Sequence, residues 1–464
     1  MNAALGLIIF YLLSTGAKGL LTFELNKIQQ TEGKEIHLFG NSSALNYFYA
    51  NILIGSQQQK QALIIDTGSY ITAFPCEPYC VNCGKHMNNR YNISSSSQGE
   101  IITCQDNKNN NDSSMNDYCK IILKGKCNEQ KECSFNNAYG EGSSISGLYF
   151  NDTIWVTDNE TKINKVKISL GCIKKENKNF LSQVADGIIG LAPSDMSFTS
   201  MLYEEKAIQY KSFSLCLNNI NNGILTFGEN PQNSKNLIPF YGSDFYRINI
   251  NEVEITKDSV EVGLMGIVDS GTTFTYFPKN IFNKIQMYIY SYCSNIDKCL
   301  GDDYISKDRG LCYIVKPHVP IQKFIDSFPM IKFKLENEIE YEWKPENYLL
   351  QNLNNTKKKE FCISINGWNQ NEILLGSAWM HNHKFIFDLN KREIEIKERN
   401  CRANNVTNPL LAELNEDYYF SKYDKDLKNK IHQIIGFVLL AGCGVFWYLY
   451  FLLKKKKNKE RKNL

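Results

Sequence analysis

A surplus of charge of one sign is missing from this chain: 52 Lys and Arg stand against 49 Asp and Glu, a net +3 over 464 residues. The basic residues that do cluster lie at the extreme C-terminus, and no aromatic-interleaved basic stripe runs through the body, which excludes a nucleic-acid partner. Long amphipathic helical patterns are also missing between the two ends. What remains there is a series of short runs rich in β-branched and aromatic residues, punctuated by Gly, Asn and Asp, and these predict a mainly β protein.

The ends carry the long apolar runs that the body lacks. "MNAALGLIIFYLLSTGAKG" has the length of a signal peptide with small residues near Ala17 and Gly19, so residues 1–19 are predicted to be a cleaved leader. Its only n-region charge is the α-amino group, which keeps an uncleaved anchor as the alternative. Residues 434–453, "IIGFVLLAGCGVFWYLYFLL", supply about the 20 apolar residues that cross a bilayer. The predicted span is 433–453, preceded by a charged, Asn-rich stalk at 402–432 and followed by a basic tail at 454–464, "KKKKNKERKNL". The positive-inside tendency keeps that tail cytosolic and everything upstream luminal. The expected topology is therefore single-pass type I in a secretory-pathway membrane. The final Arg461-Lys462-Asn463-Leu464 resembles a dibasic retrieval signal, which favours the endoplasmic reticulum, with Golgi or vacuole as alternatives.

Cysteine usage fits an oxidising lumen. Of 15 cysteines, Cys443 lies in the predicted span, and the even remainder allows up to seven disulfides. Sequons at Asn41, Asn92, Asn111, Asn151, Asn159, Asn354 and Asn405 suit a secretory chain, although an Asn-rich sequence also generates such triplets by chance.

Strands are expected in "YFYANILIG", "QALIIDTG", "SGLYFNDTIWV", "NKVKISLGC", "GILTFG", "DFYRININ", "EIEYEW" and "HKFIFDLNKREIEI". Helical turns are expected at "MLYEEKAIQ" and "PKNIFNKIQMYIYSYC", where apolar residues recur at three and four. Against this background one pattern occurs twice. "IIDTGSYITAF" and "GIVDSGTTFTYF" each run an apolar approach into Asp, a hydroxyl residue, Gly and a second hydroxyl residue. Each is followed at a distance by an apolar-apolar-Gly stretch, "ADGIIGLA" and "EILLGSAW". The polar stretch at 228–240 reads as the connection between the copies. The predicted organisation is a short N-terminal segment at 20–45, an N-terminal lobe at 46–235 with a Cys-rich insertion, and a C-terminal lobe at 236–401.

A lone Asp at a strand end is an ordinary turn residue, but two that face each other share a proton. Both cannot be charged cheaply, so one pKa rises as the other falls. An ionised carboxylate then takes a proton from a held water that attacks a peptide carbonyl, while the protonated one donates to the developing oxyanion. Asp66 and Asp269 are the candidate pair. Gly68 and Gly271 keep the turns tight, and the hydroxyls of Thr67, Ser69, Ser270 and Thr272 are placed to hold the carboxylates. This chemistry calls for no metal and no cofactor.

With both turns, both apolar-apolar-Gly stretches and "AYGEGSSISGLYFNDTI", nearly all of the luminal part resembles the pepsin-like aspartic protease family. The resemblance implies a bilobal β fold with a cleft between the lobes and polypeptide substrates. It also implies a flap hairpin carrying Tyr139 over the cleft. One departure is plain: family members commonly have a Trp seven residues after the first Asp, hydrogen-bonded to the flap tyrosine, and here that place holds Ala73.

"FPCEPYCVNCGKHMNNRYNISSSS" brings Cys76, Cys80, Cys83 and His86 close together. Spacing alone fits a zinc site, whereas the oxidising compartment favours disulfides. Cys104, Cys119, Cys127 and Cys133 extend the region as a stapled insertion. The cluster, with flap Glu141, resembles the membrane-anchored plasmepsin V group, related to the nepenthesin type. That resemblance implies cleavage of exported proteins after an Arg-x-Leu motif, with Glu141 and Gln183 lining the pocket for Arg. Gly140, where plasmepsin V has Cys, and the lack of long charged insertions are departures. The alternatives are a degradative vacuolar protease and an inactive pepsin-like binding protein.

Overall fold

Between Ala62 and Ile65 the chain has no polar residue, and all four side chains are buried. A strand apolar on both faces needs neighbours on both edges. Strand Gln59–Asp66 has Tyr47–Ile54 antiparallel on one side and Gly187–Gly190 parallel on the other, with Gly190 opposite Asp66. The chain then turns, and Ala73 crosses to pair with Ile188 before Ala73–Glu77 runs parallel to Val166–Glu176.

The second half repeats this topology. Strand Asp258–Val268 lies antiparallel to Arg247–Ile255 and parallel to Ile373–Leu375, with Val268 opposite Leu375. Tyr276 crosses to pair with Leu374, and Thr275–Pro278 runs parallel to Ile365–Trp368. Each Asp therefore ends a central strand, covered by a parallel apolar-apolar-Gly strand. The fold is mainly β and bilobal, as the pattern predicted.

The computed structural model describes residues 34–43, 45–104, 118–158, 161–162, 165–218, 222–231, 236–353, 358–399 and 401. The predicted leader, stalk, membrane span and tail lie outside the described residues, as do Cys443 and the sequons at Asn111, Asn159, Asn354 and Asn405. Among the described residues no helix is long and apolar enough to cross a membrane.

A further sheet joins strands from both halves. In spatial order it runs Lys34–Asn41, Gly223–Phe227, Ser212–Leu217, His383–Asp388, Glu393–Glu398 and Leu237–Pro239, all antiparallel. Cys216 on one of these strands is bonded to Cys401 just past another. Strand Lys34–Asn41 falls within the segment predicted to precede the lobes, yet Ile36 and Leu38 are 1% and 0% exposed. Charged neighbours Lys34 and Glu35 obscure its alternation in the sequence. Leu237–Pro239 likewise turns the end of the predicted connection into sheet.

Helix Lys279–Cys293 forms where expected and buries Ile281, Ile285 and Ile289, one face at intervals of four. The second expected helix covers Phe198–Glu204, earlier than "MLYEEKAIQ" suggests. Its start is set by the Ser197 hydroxyl, which accepts from the Ser200 N–H, and it gives way before Lys206, whose φ is 57°.

Candidate active site

The two Asp-hydroxyl-Gly turns meet at the centre of the molecule. Thr67 Oγ1 donates to Val268 O at 2.8 Å and accepts from Ser270 N at 2.9 Å. Ser270 Oγ donates to Ile65 O at 2.8 Å and accepts from Thr67 N at 3.1 Å. Each hydroxyl thus ties its own turn to the strand of the other through one donated and one accepted bond. These bonds cross about 200 residues of sequence and help satisfy buried backbone groups.

The carboxylates are held next. Asp66 Oδ1 accepts from Gly68 N at 2.7 Å, and Asp269 Oδ1 accepts from Gly271 N at 2.9 Å. Thr272 Oγ1 donates to Asp269 Oδ2 at 2.7 Å. Each glycine also lies against the opposite carboxylate: a β-carbon on Gly68 would fall 2.7 Å from Asp269 Oδ1, and one on Gly271 would fall 2.5 Å from Asp66 Oδ1. Only hydrogen fits at these two positions. Burial and the facing Asp269 carboxylate push the Asp66 carboxyl well above the usual carboxylate range, outweighing the opposing influence of the nearby Ser69 hydroxyl and of the Gly68 N–H. The pair is therefore arranged to keep a proton between two acceptors.

Strands Cys133–Ala138 and Ser144–Asp158 form a hairpin whose turn is closed by Tyr139 N to Ser143 O and Gly142 N to Tyr139 O. Tyr139 reaches back toward Asp66, and its hydroxyl is held neutral by burial and by that carboxylate. Ser69 stands between Asp66 and Tyr139 and influences both, yet the buried Ser69 Oγ and Tyr139 Oη lack a partner at full hydrogen-bonding geometry. Glu141 is exposed on the turn and accepts from Ser143 Oγ. The half-buried Gln183 donates through its amide to Ala185 O at 3.2 Å. Glu141 and Gln183 thus engage separate partners.

Ala73 is fully buried, with Ile71, Phe135 and Phe180 in the same apolar cluster, so the space for a larger residue is already filled. Support for the hairpin comes instead from residues that the sequence did not single out. The Phe180 ring lies 5.1 Å from that of Tyr139. Tyr70 Oη donates to Asn137 Oδ1 at 3.3 Å, and Lys124 lies over the Tyr70 ring while pairing with Asp244 at 3.2 Å. Tyr70 directly follows the first Asp-Thr-Gly-Ser turn and carried a positional signal; Phe180 carried none.

The 14 cysteines outside the predicted span all pair: Cys76–Cys172, Cys80–Cys83, Cys104–Cys127, Cys119–Cys133, Cys216–Cys401, Cys293–Cys299 and Cys312–Cys362. The thiols of the zinc-like cluster are thereby consumed, and His86 faces Glu176 at 3.0 Å.

The sequence pattern of the eukaryotic aspartyl protease family matches residues 47–398. Plasmepsin V of Plasmodium falciparum (isolate 3D7) is 26% identical over 511 aligned residues, covering 90% of this chain and 81% of its own length. Aspartic proteinase 36 of Arabidopsis thaliana is 24% identical over 407 residues, 80% of this chain and 77% of its own. Aspartic protease 5 of Toxoplasma gondii is 30% identical over 198 residues, 41% of this chain and 20% of its own. The chain belongs to the eukaryotic aspartyl protease family and is an aspartic-type endopeptidase of the plasmepsin V and plant aspartic proteinase type.

Proposed function

We propose that this protease is a membrane-tethered processing enzyme of the secretory pathway, with Asp66 and Asp269 as its proton-sharing dyad and an Arg-x-Leu type motif as its cleavage signal. The observation that carries the dyad is the reciprocal packing of Gly68 on Asp269 and Gly271 on Asp66. Two carboxylates that each press on the other's turn share one proton at working pH. The ionised oxygen takes a proton from water, the water oxygen attacks the scissile carbonyl, and the retained proton is donated to the oxyanion. Thr67 and Ser270 fix the turns, the Gly68 N–H and the Thr272 hydroxyl orient the carboxylates with Ser69 standing beside Asp66, and Tyr139 covers the site from the flap.

The first test is substitution. Asp66→Ala and Asp269→Ala should each abolish cleavage of a peptide substrate while the melting temperature stays near that of the wild type. Near-normal turnover in either variant defeats the dyad. The second test addresses specificity. An ionised Glu141 that closes over substrate favours Arg over Lys, because the guanidinium presents a planar fork of donors. Glu141→Ala should lower kcat/KM for an Arg-x-Leu peptide about tenfold or more, and leave an Ala-x-Leu control unchanged. Equal losses on both peptides assign Glu141 to flap structure. Microscopy of a tagged full chain tests the compartment: reticular staining supports the processing role, and vacuolar staining supports a degradative one.

A further inference from the structure

Loop Cys80–Asn88 runs alongside residues 174–186 and is bonded to them repeatedly. Val81 N donates to Lys174 O, Glu176 N to Asn82 O, and Met87 N to Val184 O, at 2.9–3.1 Å. Asn88 N donates to Asp186 Oδ1 at 2.7 Å. A β-carbon on Gly84 would fall 2.2 Å from Leu181 O, so the loop backbone presses directly on the short helix Asn179–Ser182.

At the centre of this contact is a buried pair. The side chains of His86 and Glu176 are 3% and 0% exposed, with Nε2 and Oε2 3.0 Å apart. The other ring nitrogen, Nδ1, lies 3.1 Å from Gln183 O. Both ring nitrogens face acceptor oxygens, an arrangement that favours the doubly donating, protonated ring; burial opposes that form, but Glu176 and Gln183 O outweigh it and raise the His86 pKa. Gly84 N adds a bond to Glu176 Oε2 at 2.9 Å, whereas buried Glu176 Oε1 has no hydrogen-bond partner among the described residues. The carboxylate therefore depends on His86 for its charge balance.

The segment so gripped touches the hairpin at several points: Lys175 and Glu176 pair with Ser146 and Ile145, and Asn177 N donates to Ser144 O at 3.2 Å. Asn177 Oδ1 accepts from Ser144 N at 2.6 Å, and the Phe180 ring packs on Tyr139. The geometry points to a clamp: His86, on the loop stapled by Cys80–Cys83, and its partner Glu176 are positioning residues that set the flap tyrosine through Phe180. This occupies the role left open by Ala73. The inference rests on Tyr139 acting as the flap residue over the proposed dyad.

The test uses the full chain in four forms: wild type, His86→Gln with Glu176→Gln, Phe180→Ala, and all three changes together. Kinetics on one peptide substrate should show kcat/KM falling about 10-fold to 100-fold in each of the first two altered forms, mainly through KM. The triple change should be no worse than the larger of them, because the residues act as one unit. Multiplicative losses, or unchanged activity in either form, overturn the clamp. Phe180→Leu is the variant least disturbing to the fold. In it, hydrogen exchange at the Tyr139 and Gly142 amides should quicken about tenfold, and unchanged exchange overturns the clamp even if the paired variant fails to fold. Exchange needs no turnover, so it separates this inference from the dyad: an active Asp66→Ala protein defeats the dyad alone, and unchanged exchange defeats the clamp alone.

Discussion

Gly68 and Asp269 are in direct contact across the two lobes, with room for hydrogen but not for a methyl group: a β-carbon at 68 would meet Asp269 Oδ1, Cγ and Oδ2 at 2.7, 2.8 and 3.0 Å. Gly68→Ala must therefore displace the carboxylate or the turn. The expected result is a loss of about 100-fold in kcat/KM, the usual consequence of a misplacement of about 1 Å at a reacting group. Gly271→Ala should behave alike against Asp66. Wild-type kinetics in either variant would show that the carboxylates tolerate separation.

The raised pKa of Asp66 makes a signed prediction for stability. The folded state holds a proton that the unfolded chain releases above the ordinary carboxylate value of 3.8. Stability from this group is thus complete below that pH and is lost as pH rises through the folded pKa. Asp66→Asn removes the loss. Its denaturant midpoint should exceed that of the wild type at about pH 7, and the two should converge toward about pH 3. A constant difference at all pH values would contradict the assignment.

His381 acts in the opposite direction. It is fully buried between Ser42 Oγ at 2.9 Å and Asn347 O at 3.1 Å, and burial lowers its pKa to about 4. The unfolded chain binds the extra proton between its ordinary 6.5 and that value, so acidification across this window destabilises the fold, by an amount on the order of 3 kcal/mol. Urea titrations at the two ends of the window, pH 6.5 and about 4, should show the fall, and His381→Asn should reduce it. No change in slope on substitution would remove His381 as the cause.

Cys216–Cys401 closes a loop with a sequence separation of 185. Chain-entropy reasoning gives a long-loop crosslink a value of about 5 kcal/mol at most. The Cys216→Ser/Cys401→Ser protein should lose a large part of its denaturant stability while keeping kcat, since the bond lies in the joining sheet and the Asp turns do not depend on it. Retained stability with lost activity would reverse that assignment.

Much of the molecule is legible in its local sequence. The two Asp turns, their apolar approaches and the paired apolar-apolar-Gly strands are local patterns, and local apolar runs bounded by glycine dictate strands whatever surrounds them. The helix at Lys279–Cys293 was equally readable, because Ile281, Ile285 and Ile289 mark one face. Strand Lys34–Asn41 was not, because its partner Gly223–Phe227 lies far along the chain and its own charges mask the alternation.

Local sequence is enough to place two carboxylates at the ends of two apolar runs, to count an even number of cysteines outside the apolar ends, and to set a β-rich body between those ends. Three-dimensional packing alone shows that Gly68 presses on Asp269, that Cys76 pairs with Cys172 rather than with its neighbours in sequence, and that the Phe180 ring lies against Tyr139. The physical reason is range. Strand periodicity and turn chemistry are set by neighbours a few residues apart, whereas a contact such as His86 on Glu176 depends on how separate segments pack, and no local pattern encodes which of many polar side chains will be buried together.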